Sequence, residues 1–175
     1  MTEKQSTKPA INKNRDGIIT RYTAATDVLE AAIRGLDESQ LDLSLSADSW
    51  SIRQIVHHLA DGDYLWKEFI LRAAGNPELE FSLAWYWCIP QDEWAQRWVY
   101  ARRDIAPSLA LMRASRQHAV ELLKCIPGIW EKSLPIPTHV GGQQMATVTE
   151  VVEMQARHVE EHAGEIRKIR LAHGV

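Results

Sequence analysis

Apolar residues recur at spacings of three and four in four separate stretches of this chain, the period of one helix face. The first stripe runs through Ile19, Tyr22, Thr26, Leu29, Ile33 and Leu36. The second, through Ile52, Ile55, Leu59, Gly62, Trp66 and Phe69, follows Ser51-Ile52-Arg53-Gln54 and stops near Gly75-Asn76-Pro77. Ser followed three residues later by Gln is a capping box, in which hydroxyl and amide satisfy the free N–H groups of a first turn. The third stripe, Ile105, Leu109, Met112, Ala119, Leu123 and Ile126, begins after a potential N-cap at Asp104, with Pro107 in its first turn, and ends at Pro127-Gly128. A second capping box, Thr147-Val148-Thr149-Glu150, opens the fourth, in which Val148, Val151, Gln155, His158, His162, Ile166 and Ile169 share a face. No segment shows a convincing strand pattern. The expected architecture is all-α: a four-helix bundle with long connections between helices 2 and 3 and between helices 3 and 4. The first connection, 79–103, reads as a loop with a short helical part, and 129–146, with Pro135, Pro137 and Gly141-Gly142, as an irregular crossover.

Length and charge narrow the classes of function. With 175 residues the chain suits one domain, expected over 13–175 behind a flexible N-terminal tail, 1–12, that lacks an apolar period. A hydrophobic share of 45% with 25% charged residues excludes disorder and a membrane protein. The formal net charge is -3, with no stripe of Lys and Arg, so a nucleic-acid partner is not expected. The polar N-terminus has no signal-like core, which predicts a cytoplasmic protein. Cys88 and Cys125 do not form a CxxC pair, leaving neither a disulfide framework nor a thiolate zinc site.

The histidines are where polar chemistry meets the apolar stripes. His158 and His162 are four apart, so their rings project one above the other on the same helix face. His58 lies beside Leu59 on the expected buried side of the second helix. Three imidazoles from facing helices can hold one divalent ion at about 2.0–2.1 Å and leave a fourth corner open. The pattern alone fits equally well a pair of core histidines bonded to backbone or water. His57 points about 100° away from His58, and the stripe favours His58 as the inward one. His118 flanks the third stripe, where lining a site and facing solvent both fit; His139 and His173 read as surface residues. Gln155 and Glu165, three residues before His158 and three after His162, are candidates for orienting an imidazole or handling a proton.

Two familiar metal classes fail on spacing. His158-Val159-Glu160-Glu161-His162 has the form HxxEH of inverted zinc proteases, but too little chain follows to supply their distant third ligand. A ferritin-like di-iron site needs Glu-x-x-His, and no histidine here has Glu three residues before it. There is no GxSxG, phosphate-binding loop or GxGxxG. Trp85, Trp87, Trp94 and Trp98, with Arg97, Arg102 and Arg103 nearby, form either an aromatic, cationic mouth to a site or a cover for a bundle end or dimer interface.

The segment Trp50-Ser51-Ile52-Arg53-Gln54-Ile55-Val56-His57-His58-Leu59-Ala60-Asp61, followed near the C-terminus by His158-x-x-x-His162, resembles the DinB/YfiT-like superfamily of metalloenzymes, its YfiT-like branch above all. The resemblance implies a four-helix bundle, commonly a homodimer, holding a divalent metal ion (zinc, nickel or iron) on His58, His158 and His162. Members include S-transferases that use bacillithiol, mycothiol or glutathione, a mycothiol-dependent isomerase and metal-dependent hydrolases. A small-molecule substrate and a low-molecular-weight thiol cosubstrate are therefore expected. In that reading the metal lowers the thiol's pKa; a hydrolase with water as nucleophile and a non-catalytic, stress-related interaction module are the alternatives.

Overall fold

The computed structural model describes residues 7–76, 81–137 and 142–175. Four long helices make the body: α1 (Thr7–Ile33), α2 (Ile52–Gly75), α5 (Ile105–Cys125) and α6 (Val148–His173). Two short ones, α3 (Ala84–Trp87) and α4 (Gln91–Arg97), lie between α2 and α5. None of the helices described is long and apolar enough to cross a membrane.

The start signals operate as local chemistry dictates. Ser51 Oγ accepts from the Gln54 amide while Gln54 Oε1 accepts from the Ser51 amide at 2.9 Å. Thr147 and Glu150 repeat the exchange at α6, and Asp104 Oδ1 accepts from the Ala106 amide at α5. The first helix begins at Thr7, within the segment 1–12 expected as a tail; residues 1–6 of it lie outside the described residues. Pro9 falls in the first turn of α1, where a missing N–H breaks no helical bond.

Side-chain partners give the helix directions. His57 meets Ser108 and Asp63 meets Arg116, so α2 and α5 run parallel. Arg21 pairs with Glu160 and Arg170 bonds the Ala32 carbonyl, so α1 and α6 are parallel too. Arg113 with Glu30, and Arg116 with the Tyr22 carbonyl, set α1 against α5; His58 and His158 join α2 to the oppositely directed α6. Around the bundle the order is α1, α6, α2, α5, with α1 and α2 on a diagonal. Parallel neighbours cannot be joined by a tight turn, which is why the α2-to-α5 connection must travel back along the molecule.

That return carries most of the tryptophans. Tyr86 stacks on Trp94 and Trp98, with ring centroids 5.6 and 5.9 Å away, and Trp87, Trp94 and Trp98 pack on the main core cluster. Val99, in the left-handed region at φ 56°, ψ 42°, reverses the chain after α4. A β-branched residue there costs about 1–3 kcal/mol.

The α5-to-α6 connection corrects the expected irregular crossover. Ser133–Pro137 (β1) and Gln143–Thr147 (β2) form an antiparallel ribbon with Leu134 opposite Ala146 and Ile136 opposite Gln144. The Val148 amide donates to the Lys132 carbonyl. By the alternation of antiparallel pairing, Pro135 and Pro137 then occupy positions whose nitrogen points away from the partner strand. The prolines that argued against a strand are thus tolerated by a two-stranded edge. Leu134, Ile136 and Ala146 turn inward onto the core.

The apolar interior is in two parts. One cluster gathers Ile52, Ile55, Leu59, Met112, Val159 and Ile166; the other gathers Tyr22, Phe69, Ala119, Val151 and Ala156. Between them, Arg116 and Asp63, 1% and 2% exposed, form a two-pronged ion pair. Arg116 also donates to the carbonyls of Tyr22 and Gln155, and its guanidinium lies 4.3 Å from the Tyr22 ring centroid. One side chain from α5 therefore bonds all three other long helices.

Candidate metal centre

His58 projects from α2 toward α6, where the capping box at Thr147 and the helical period bring His158 and His162 to the same face. The Nε2 atoms of His58 and His158 are 3.2 Å apart and those of His158 and His162 3.1 Å. All three imidazoles offer ligand atoms within 4.8 Å of one another, the one such three-residue cluster among the described residues. Ligand nitrogens on a tetrahedral ion at 2.0–2.1 Å stand about 3.3 Å apart, close to what these rings present.

Protonation agrees with that use. Burial, and then the neighbouring imidazoles His158 and His162, push His58 down to about 3. Burial, then His162 and Arg116, push His158 down to about 4. Both rings are neutral at pH 7, as metal ligands must be. His162 Nδ1 lies 2.7 Å from Glu165 Oε2; a carboxylate accepts there, so Nδ1 carries a proton and Nε2 is the nitrogen turned toward the other rings. Trp50 closes one side, edge-on to His58 at 4.6 Å between ring centroids and parallel to His162 at 6.5 Å.

The structure thus brings together His58, His158, His162 and Glu165 of the residues singled out in the sequence. Gln155 is different. It is buried, but its Oε1 has no partner and its backbone carbonyl serves Arg116. His58 Nδ1 and Ser115 Oγ are also buried without a protein partner.

His57 corrects the sequence argument: it is fully buried, whereas His58 is at the half-buried rim. Its Nε2 donates to the Arg103 carbonyl at 3.2 Å, which leaves Nδ1 to accept from Ser108 Oγ at 2.8 Å. Burial lowers its pKa. The parallel packing of α2 on α5 covers this flank, and the stripe of one helix cannot announce a second neighbour. His57 is a tie between α2 and the start of α5. His118 is exposed, as is His173, which reaches the Ser44 carbonyl at 2.8 Å; His139 lies outside the described residues.

Two groups escaped sequence reasoning. Asp63 and Arg116 carry one signal: each is a charge four residues after a stripe position, Leu59 and Met112. Burial pushes the Asp63 carboxyl up against the pull of Arg116. Asp61 accepts from Tyr100 Oη at 2.8 Å and faces Arg103 at 3.4 Å, a contact made by the crossover and unreadable from α2 alone.

The fold has relatives. The family model of the DinB superfamily matches residues 21–166, from α1 into α6. A protein of Geobacillus thermodenitrificans (strain NG80-2) named "Putative metal-dependent hydrolase" is 26% identical over 148 residues, 85% of this chain and 79% of the relative. The structure of YfiT from Bacillus subtilis, described as "a probable metal-dependent hydrolase with an unusual four-helix bundle topology", matches with a TM-score of 0.79 at 18% identity, over 99% of this chain and 93% of YfiT. The mycothiol-dependent maleylpyruvate isomerase matches with a TM-score of 0.64 at 14% identity over 86% of this chain, which spans 60% of that enzyme. These structural likenesses speak for the fold, and the match that covers four of every five residues speaks for descent: the chain belongs to the DinB superfamily.

Proposed function

We propose that His58, His158 and His162 hold one divalent metal ion and that the protein is a metal-dependent enzyme acting on a small molecule, with a low-molecular-weight thiol as its nucleophile. The observation that carries this reading is the convergence of three imidazoles, with His158 Nε2 3.2 Å from that of His58 and 3.1 Å from that of His162 and all three offering ligand atoms within 4.8 Å of one another. Bound there, a divalent ion with three neutral ligands supplies a Lewis acid that lowers the pKa of a thiol or water at neutral pH. The chain's own residues do the rest. Glu165 fixes the tautomer and orientation of His162, and Trp50 shields His58 and His162 on one side. The low pKa values of His58 and His158 keep their lone pairs free for coordination.

A hydrolase with water as nucleophile is the second reading, favoured by the names of the Geobacillus relative and of YfiT. The test starts with metal content. Untagged protein, purified without a metal column, is expected to carry near one equivalent of zinc, nickel or iron. His58→Ala and His158→Ala are expected to lose it. Native protein that neither retains nor takes up these metals overturns the reading. Turnover that requires bacillithiol, mycothiol or glutathione and consumes it one-for-one selects the transferase; turnover without thiol selects the hydrolase.

A further inference from the structure

Along α2 from His58, the helix's outer face and the returning crossover enclose a groove of about 440 Å³ lined by Asp61, Tyr64, Leu65, Glu68, Trp85, Trp98 and Arg103. Asp61 and Leu65 are one and two turns beyond His58 on the same helix. They are displaced from it by about 4.5 and 10.5 Å along the axis and lie within about 60° of its bearing. The groove therefore starts about one turn along α2 from His58 and leads away from it.

Its walls are aromatic and exposed. Tyr64 is 57% and Trp85 50% exposed, far more than is usual for such large apolar rings. Trp85 is nevertheless braced by Trp94 and Trp98, with ring centroids 5.6 and 6.5 Å away. A large ring fixed in place while facing water loses little entropy when a ligand covers it.

The charges in the groove are already answered. Asp61 accepts from Tyr100 and faces Arg103, and Glu68 is paired with Arg72 at 2.7 Å. An ionic ligand would have to compete with these partners, whereas an uncharged flat group meets ring faces and Leu65.

We propose that this groove is the substrate-specificity subsite, taking an uncharged aryl or arylalkyl portion of a substrate whose reacting group sits at His58, His158 and His162. The proposal rests on the metal reading given above and deepens it by naming the substrate class. Trp85 and Tyr64 are its specificity residues, and reach from the imidazoles to Leu65 sets the substrate's length at about 10 Å.

The test compares acetohydroxamic acid with 4-phenylbutanohydroxamic acid on the zinc-loaded protein by calorimetry. The phenyl probe is expected to bind at least about tenfold more tightly. Trp85→Ala and Tyr64→Ala are each expected to remove most of that gain while acetohydroxamic acid binds as before. In parallel, 4-phenylbutan-1-ol, which has no metal-binding group, is titrated into metal-free protein while the indole N–H resonances of Trp85 and Trp98 are followed. Saturable shifts of both support the groove independently of the metal. Failure of both hydroxamates to bind, with the alcohol still shifting these resonances, overturns the metal reading and leaves the groove. Equal affinity of the two hydroxamates, gain retained in both variants, or no shift with the alcohol overturns the groove. So does a change in sedimentation of the two variants with unchanged probe affinity, which would make this face a contact between copies of the chain.

Discussion

At the scale of single residues the centre depends on which nitrogen of each ring carries its proton. Glu165 holds the proton of His162 on Nδ1, so Glu165→Ala is expected to weaken metal affinity about 10–100-fold. Competition with a chelator measures this, and unchanged affinity would reduce Glu165 to a polar rim residue. His58 and His158 have folded-state pKa values of about 3 and 4, below the ordinary value near 6.5. The unfolded chain therefore binds more protons below pH 6.5, and folding weakens as pH falls from there toward 4. For metal-free protein the urea midpoint is expected to drop between pH 7 and pH 4.5, with a shallower drop in His158→Asn. Parallel pH profiles for the two proteins would contradict the burial argument.

At the scale of elements, what local chemistry controls was legible and what neighbours control was not. Both capping boxes and the Asp104 cap start helices where the sequence places them. The ribbon of β1 and β2 was missed because proline reads as a strand breaker until pairing decides which nitrogens need a partner. The crossover was read as a loop with a short helical part, and α3 and α4 occupy it, but its reversal at Val99 has no sequence signal. Valine in the left-handed region is strained, so Val99→Gly is expected to raise stability by up to about 1 kcal/mol. Chemical denaturation checks it, and a loss instead would show that the Val99 side chain matters more to packing than its backbone costs.

At the scale of the molecule, Arg116 and Asp63 join four helices across the seam between two apolar clusters. Removing one partner leaves the other charge buried and alone. Arg116→Ala is therefore expected to cost about 3–5 kcal/mol, whereas the double change Asp63→Leu with Arg116→Met restores much of it. A double-mutant cycle in urea reads both, and a single-variant cost below about 1 kcal/mol would refute the role. Because Arg116 bonds the Gln155 carbonyl one turn before His158, the same pair sets how α6 approaches α2 at the imidazoles.

By itself the sequence determined the four helices, the N-caps of α2, α5 and α6, and the three histidines to examine, because helical period and capping are settled within one or two turns of chain. It could not rank His57 against His58, find the partner of Asp63, or separate Trp85, left facing the groove, from Trp87 and Trp94, which pack on the core. Those outcomes depend on α2 lying parallel to α5 and antiparallel to α6. That is a choice between ways of burying the same stripes, and only the assembled tertiary structure makes it.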